Sequence, residues 1–203
     1  APPDECVAVY NRRGNEMISQ AVAAHPTRLV GYAVANPWYG AAAVEELERA
    51  FRSGLRALFL LPPVQGFQLS DPLVDPLIEV AIAHRAPVYA HTGTPICSEP
   101  FQLAALARRH PEARFIMGHM GYADFWYDGP HAAAMADNIW LETSFMDGDV
   151  IAAAIRQLGA HRFLFGSTAP LSAVSPELEK IRSLPIPAVA LAKILAGNAE
   201  ALL

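Results

Sequence analysis

Two periodicities alternate along the chain. Short, largely apolar runs recur as RLVGYAVA (28–35), LRALFLL (55–61), PVYAHT (87–92), RFIMGH (114–119), IWLETS (139–144) and RFLFGS (162–167). Runs of this length, rich in Val, Ile, Leu and Phe, read as strands covered on both faces. Between them, apolar positions repeat at helical spacing. Met17, Ile18, Ala21 and Val22 form one such set, Val44, Leu47 and Phe51 a second, and Val150, Ile151, Ala154, Ile155 and Leu158 a third. Asp75 before Pro76 and Ser175 before Pro176 pair a capping side chain with a proline suited to the first helical turn. Gly54 and Gly159 stand where helices should stop. Strand, helix, strand with short links predicts right-handed βαβ units and a parallel sheet. No composition break divides the chain, so one domain over residues 1–203 is expected. Six units are too few for a closed eightfold barrel. They suit either a barrel without its first two units or an open doubly wound sheet.

Composition narrows the function classes. The 203 residues are 53% hydrophobic and 17% charged, as expected of a sheet with helices on both sides. The formal charge is −5 with no basic cluster, which argues against a nucleic-acid surface. No apolar run approaches the roughly 18 residues of a membrane span, and no signal peptide is visible. Cys6 and Cys97 are too few for a disulfide scaffold and read as reduced thiols of a cytoplasmic protein. No Gly-rich phosphate loop follows the first strand, against a dinucleotide fold. The chain opens on Ala1-Pro2-Pro3 rather than Met, which is read as a processed or truncated start.

Parallel α/β folds carry their chemistry at the C-terminal ends of the strands. PVYAHTG ends in His91 and RFIMGHMG in His119. Two imidazoles on successive strand ends lie side by side, placed to hold a divalent metal or to exchange protons. A single strand-end histidine is as often a satisfied structural residue; the adjacent pair tips the reading toward function. IWLETS ends in Glu142, Thr143 and Ser144, RFLFGSTAP in Ser167 and Thr168, and LRALFLLPP in the apolar Leu61. Trp38, Phe67, Trp126, Tyr127 and Phe145 follow strand ends and are candidates to wall a substrate pocket, with Glu142 and Thr168 as its polar members. Asp124, Asp128 and Asp147 sit on the same loops, where acids are usually just solvated. His25, His84 and His110 fall at helix ends, where they complement the helix dipole, and His131 and His161 read as structural.

YAHTG, FIMGHMG, IWLETS, FLFGSTAP and the ending AKILAGNAEALL together resemble the second amidohydrolase group, which includes decarboxylases related to aminocarboxymuconate semialdehyde decarboxylase. The upstream segments HPTRLVGYAVANP and AAVEELERAF fit as well, so the resemblance spans essentially the whole chain. It implies a distorted (β/α)8 TIM barrel of the metal-dependent hydrolase type, with the first one or two β/α units missing from this chain. It also implies one divalent metal, usually zinc, held by a His-x-His pair on the first strand, a histidine on the fifth and an aspartate on the eighth. Carried over, His91 is the fifth-strand metal ligand and His119 the sixth-strand catalytic acid/base. A homodimer is a further expectation of the family.

The chain departs from that pattern in three places. Thr168 stands where the family's Gly-Ser-Asp-Ala-Pro has its acid, Phe59 and Leu61 replace a frequent Lys and His, and the His-x-His strand is not in the sequence. The resemblance therefore predicts a metal-dependent hydrolase or decarboxylase of a small organic molecule, with an altered metal site. The competing readings are a metal-free homologue that binds a small apolar ligand or a partner, and metal-free catalysis by His119.

Overall fold

The computed structural model describes residues 11–203, so Cys6 lies outside the described residues. All six apolar runs become strands: β1 (Tyr32–Val34), β2 (Ala57–Leu60), β3 (Val88–His91), β4 (Phe115–Gly118), β5 (Ile139–Glu142) and β6 (Phe163–Leu164). Each pairs parallel with the next, and the sheet order is the sequence order. A doubly wound sheet reverses direction at a switch point; this one never does. The described chain is therefore six successive units of a (β/α) barrel, which decides between the two architectures that periodicity left open.

Helices cover the outer face. They are α1 (Arg12–Ala24), α2 (Ala41–Arg52), the short turn α3 (Pro62–Gln65), α4 (Asp75–Ala83), α5 (Pro100–Arg109), α6 (Asp128–Ala133), α7 (Gly148–Leu158) and α8 (Val174–Arg182). A last helix runs from α9 (Ala188–Ala192) through a π turn into α10 (Asn198–Leu202). Gly54 and Gly159 both stand in the left-handed region, just beyond α2 and α7, as a helix stop requires.

The period-two side-chain alternation of the strands separates two cores. Leu58, Leu60, Val88, Ala90, Phe115, Met117, Ile139, Leu141 and Phe163 face the helices in one large buried cluster. Their alternates Tyr89, Ile116, Trp140 and Leu164 face the barrel interior. Ala199 and Leu202 of α10 join this inner cluster. The Arg114 guanidinium, just before β4, donates to the Leu202 carbonyl (2.9 Å), so the C-terminal helix closes the mouth at the N-terminal strand ends. The opposite mouth is left for chemistry.

Buried polar side chains bind backbone where strands meet helices. Arg162 donates to the carbonyls of Ile139 (2.7 Å), Ala133 (3.0 Å) and Ala136 (2.8 Å). Asn198 donates to those of Ala160 and Phe163 (2.8 and 2.7 Å). Helix α1 departs from its apolar pattern: Met17 is half exposed, while Gly14 and Asn15 are buried. The inward face turns on Asn15, whose amide donates to the Val34 carbonyl (2.9 Å) and to Glu46 (2.8 Å) and accepts from the Val34 N–H (2.8 Å). A hydrogen-bonded asparagine displaced the apolar side chain that hydrophobic spacing favours. Among the described residues no helix is long and apolar enough to cross a membrane.

Candidate active site

At the C-terminal strand ends a cavity of about 760 Å³ opens over the barrel interior. His91, the last residue of β3, and His119, just past β4, lie on its floor with ring centroids 5.0 Å apart, edge to face. Tyr32, Phe59 and Tyr89 build one aromatic wall, with Tyr89 stacked on Phe59 at 5.4 Å. Phe145 packs on His119 at 5.4 Å. Thr168 and Leu171 sit toward the mouth.

Three of these residues hold strained backbone. His119 (φ 64°), Phe145 (φ 63°) and Thr168 (φ 54°) are all left-handed, each on the loop after a different strand. Left-handed backbone costs a residue with a Cβ roughly 1–2 kcal/mol. Such strain concentrates where side chains are aimed at a ligand. Here all three line the one cavity.

Glu142 is the hub beneath the floor. It is 6% exposed. Its Oε1 accepts the Ser144 N–H (2.7 Å), and its Oε2 accepts the Tyr89 hydroxyl (2.8 Å), the His119 N–H (3.1 Å) and the Ser144 hydroxyl (2.8 Å). The carboxylate fits only because residue 166 is glycine: a Cβ there would stand 1.6 Å from Oε1. The fully buried Ser144 places its Oγ 2.7 Å from His119 Nδ1, and the Thr168 hydroxyl donates to that same Oγ at 2.7 Å. His119 Nε2 has no protein partner among the described residues.

Burial dominates the electrostatics. It lowers both imidazoles to about 4, with the neighbouring His119 adding to the effect on His91 and Glu177 opposing it at His119. Both are therefore neutral at physiological pH. Burial and then Glu142 push Tyr32 up to about 12, and the same two causes hold Tyr89 well above its ordinary range as a hydroxyl donor. Among the described residues no Lys or Arg lines the cavity.

The structure gathers part of the predicted set. His91, His119, Glu142, Phe145 and Thr168 share the cavity. Trp38 and Phe67 line a separate cleft with Cys97, a free thiol, and Trp38 Nε1 donates to the Gly66 carbonyl (3.0 Å). Trp126 and Tyr127 are exposed and packed on each other at 5.7 Å, with His131 against Tyr127 at 4.8 Å. His84 and His110 pair with Glu48 and Asp75 (2.8 and 2.9 Å). Tyr32 and Tyr89 are site members that sequence reasoning misses. The signal for Tyr89 is its parity: it lies two residues before His91 on one strand and therefore on the same face. The sequence marks Ser144 only as a strand end.

The described residues do not by themselves fit a divalent metal. Among them no group of three His, Cys, Asp or Glu side chains is placed to hold one. Glu142, the one acidic side chain lining the cavity among the described residues, is saturated by its four donors. The Thr168 hydroxyl is a weak neutral donor atom and is already engaged with Ser144.

Comparison with solved structures agrees with the barrel. An uncharacterized TIM-barrel protein from Bordetella bronchiseptica superposes with a TM-score of 0.80 at 22% identity, over 93% of this chain and 71% of its own. A 5-carboxyvanillate decarboxylase from Sphingomonas paucimobilis gives 0.75 at 22%, over 93% and 70%. A dihydroxybenzoic acid decarboxylase from Polaromonas sp. JS666, solved with manganese and the inhibitor 2-nitroresorcinol, gives 0.74 at 21%, over 94% and 74%. None of the curated proteins compared matches the chain. The amidohydrolase family model matches residues 6–203, nearly the whole sequence, and the chain belongs to that family.

Proposed function

We propose that this chain is a hydrolase or carboxy-lyase of the amidohydrolase family acting on a small aromatic molecule, with His119 as the residue that exchanges a proton with it. One observation carries the reading. A neutral imidazole, braced at Nδ1 by Ser144 and a buried carboxylate, lines an aromatic-walled cavity with no partner for its Nε2 among the described residues. A planar ring fits between Phe59 and Tyr89 on one side and Phe145 on the other, and water is excluded as it enters. His91 and Thr168 supply the polar contacts that orient it. The aromatic-acid substrates of the decarboxylase neighbours support this class. The donor set among the described residues is incomplete, so no step of the proposal runs through a metal. A homodimer is proposed on the family resemblance alone, and a cytoplasmic location on the reading of the two cysteines as reduced thiols.

The test is a turnover screen of aromatic acids for carbon dioxide release and of aromatic esters and amides for hydrolysis, with and without added manganese. His119→Gln is expected to lower kcat/KM by roughly 10²–10⁴-fold, as loss of a general acid or base does. Full activity in that variant would sink the assignment. Ligand binding without turnover in the native protein would favour a barrel that only binds.

A further inference from the structure

The hydrogen bonds around His119 fix where its single proton sits. Three oxygens surround Nδ1: Ser144 Oγ at 2.7 Å, and Glu142 Oε2 and Thr168 Oγ1 at 3.5 Å each. Each hydroxyl has one hydrogen to give. Glu142 receives two backbone N–H groups, the Tyr89 hydroxyl and the Ser144 hydroxyl, so it acts purely as an acceptor. The Ser144 hydrogen is therefore committed to Glu142 Oε2 at 2.8 Å. The Thr168 hydrogen is committed to Ser144 Oγ at 2.7 Å. What Ser144 has left for His119 is a lone pair, so the hydrogen in the 2.7 Å contact belongs to Nδ1. In a neutral imidazole, Nε2 is then bare.

We propose that Ser144, oriented by Glu142 and topped by Thr168, is a positioning residue that locks His119 in the Nδ1–H form and presents the Nε2 lone pair to the cavity. The inference rests on the reading of this cavity as the active site, and it gives His119 a direction. In the resting protein it accepts a proton from the substrate: the substrate's X–H bond breaks, an N–H bond forms at Nε2, and the electron pair stays on the substrate atom. The imidazolium so formed faces Glu142 through Ser144. Thr168 matters by what it is not. A carboxylate in its place would compete with Glu142 for the one Ser144 hydrogen and set a second negative charge beside the first.

The test reads the tautomer directly. Protein labelled with nitrogen-15 at histidine is examined without substrate at neutral pH by long-range proton–nitrogen correlation, and His119 is assigned by its absence in His119→Gln. The expected spectrum shows a protonated Nδ1 and an unprotonated Nε2. Ser144→Ala, checked for folding by thermal melting, is expected to show a mixture of the two tautomers, and Ser144→Thr, which keeps the hydroxyl, to restore the native one. A native His119 carrying its proton on Nε2 overturns the proposal whether or not Ser144→Ala folds. So does a folded Ser144→Ala with an unchanged tautomer. The spectrum needs no turnover, so a failed activity screen leaves it standing and a wrong tautomer leaves the screen standing.

Discussion

Gly166 shows how a single residue sets the floor of the site. The carboxylate of Glu142 occupies the volume that any side chain at 166 would claim, 1.6 Å from its ideal Cβ. Gly118 does the same for the Tyr89 hydroxyl, at 2.4 Å. Neither glycine is needed for a left-handed turn; each leaves room for a neighbour on the next strand. Gly166→Ala is expected to push Glu142 off its four donors, leaving buried polar groups unpaired at about 1–3 kcal/mol each. The measurement is the denaturant midpoint together with the histidine spectrum. An unchanged midpoint and tautomer would show that the carboxylate is not confined as described. The histidines were legible in the sequence as strand-end residues. Glu142 was legible too, as a candidate to touch substrate. Its role as the acceptor beneath His119 depends on which oxygens three different strands bring together.

At the scale of elements, the clearest case is the join of α1 to β1. Both backbone groups of Val34, itself 1% exposed, are satisfied by Asn15 rather than by a neighbouring strand. Asn15→Ala removes both partners and frees buried Glu46 from one of its donors. The expected cost is about 3 kcal/mol, the range for unmade buried hydrogen bonds, read as a lower midpoint in urea with an unchanged slope. A loss below about 0.5 kcal/mol, typical of an exposed surface change, would contradict the burial of this contact. Apolar spacing placed α1 as a helix but aimed it by Met17 and Ala21, because hydrophobic periodicity is blind to an asparagine that is buried through its hydrogen bonds. It served well for α7, where Ile151, Ala154 and Ile155 are all buried as the pattern requires.

For the molecule as a whole, the buried histidines tie stability to pH. His91 and His119 are lowered from 6.5 to about 4 in the folded protein. Between those values the unfolded chain binds protons that the native state refuses, so stability rises with pH through the window. The contribution is complete above about 6.5 and is lost as pH falls toward 4. A tenfold change in proton affinity corresponds to about 1.4 kcal/mol, so the loss amounts to a few kcal/mol. Glu46 and Asp75, held below their ordinary 4.5 and 3.8, act in the same direction only lower down. Melting temperature measured across the window should fall on acidification before those carboxylates titrate. A flat profile between pH 6.5 and 5 would contradict the buried neutral pair.

The sequence alone determined the number of strands, their parallel sense and family, the stops at Gly54 and Gly159, and the two strand-end histidines. These follow from local periodicity and from residues that terminate or expose the chain where they stand, so neighbours along the sequence suffice to read them. Tertiary structure decided the rest. The sequential strand order chose the barrel over the doubly wound sheet. Curvature brought Tyr32, Phe59 and Tyr89 around the histidines and left Trp38, Phe67, Trp126 and Tyr127 elsewhere. The path from Thr168 through Ser144 to Glu142 exists only where the ends of β4, β5 and β6 converge. A one-dimensional pattern shows which face a side chain takes, whereas membership of one cavity depends on register between strands far apart in the chain.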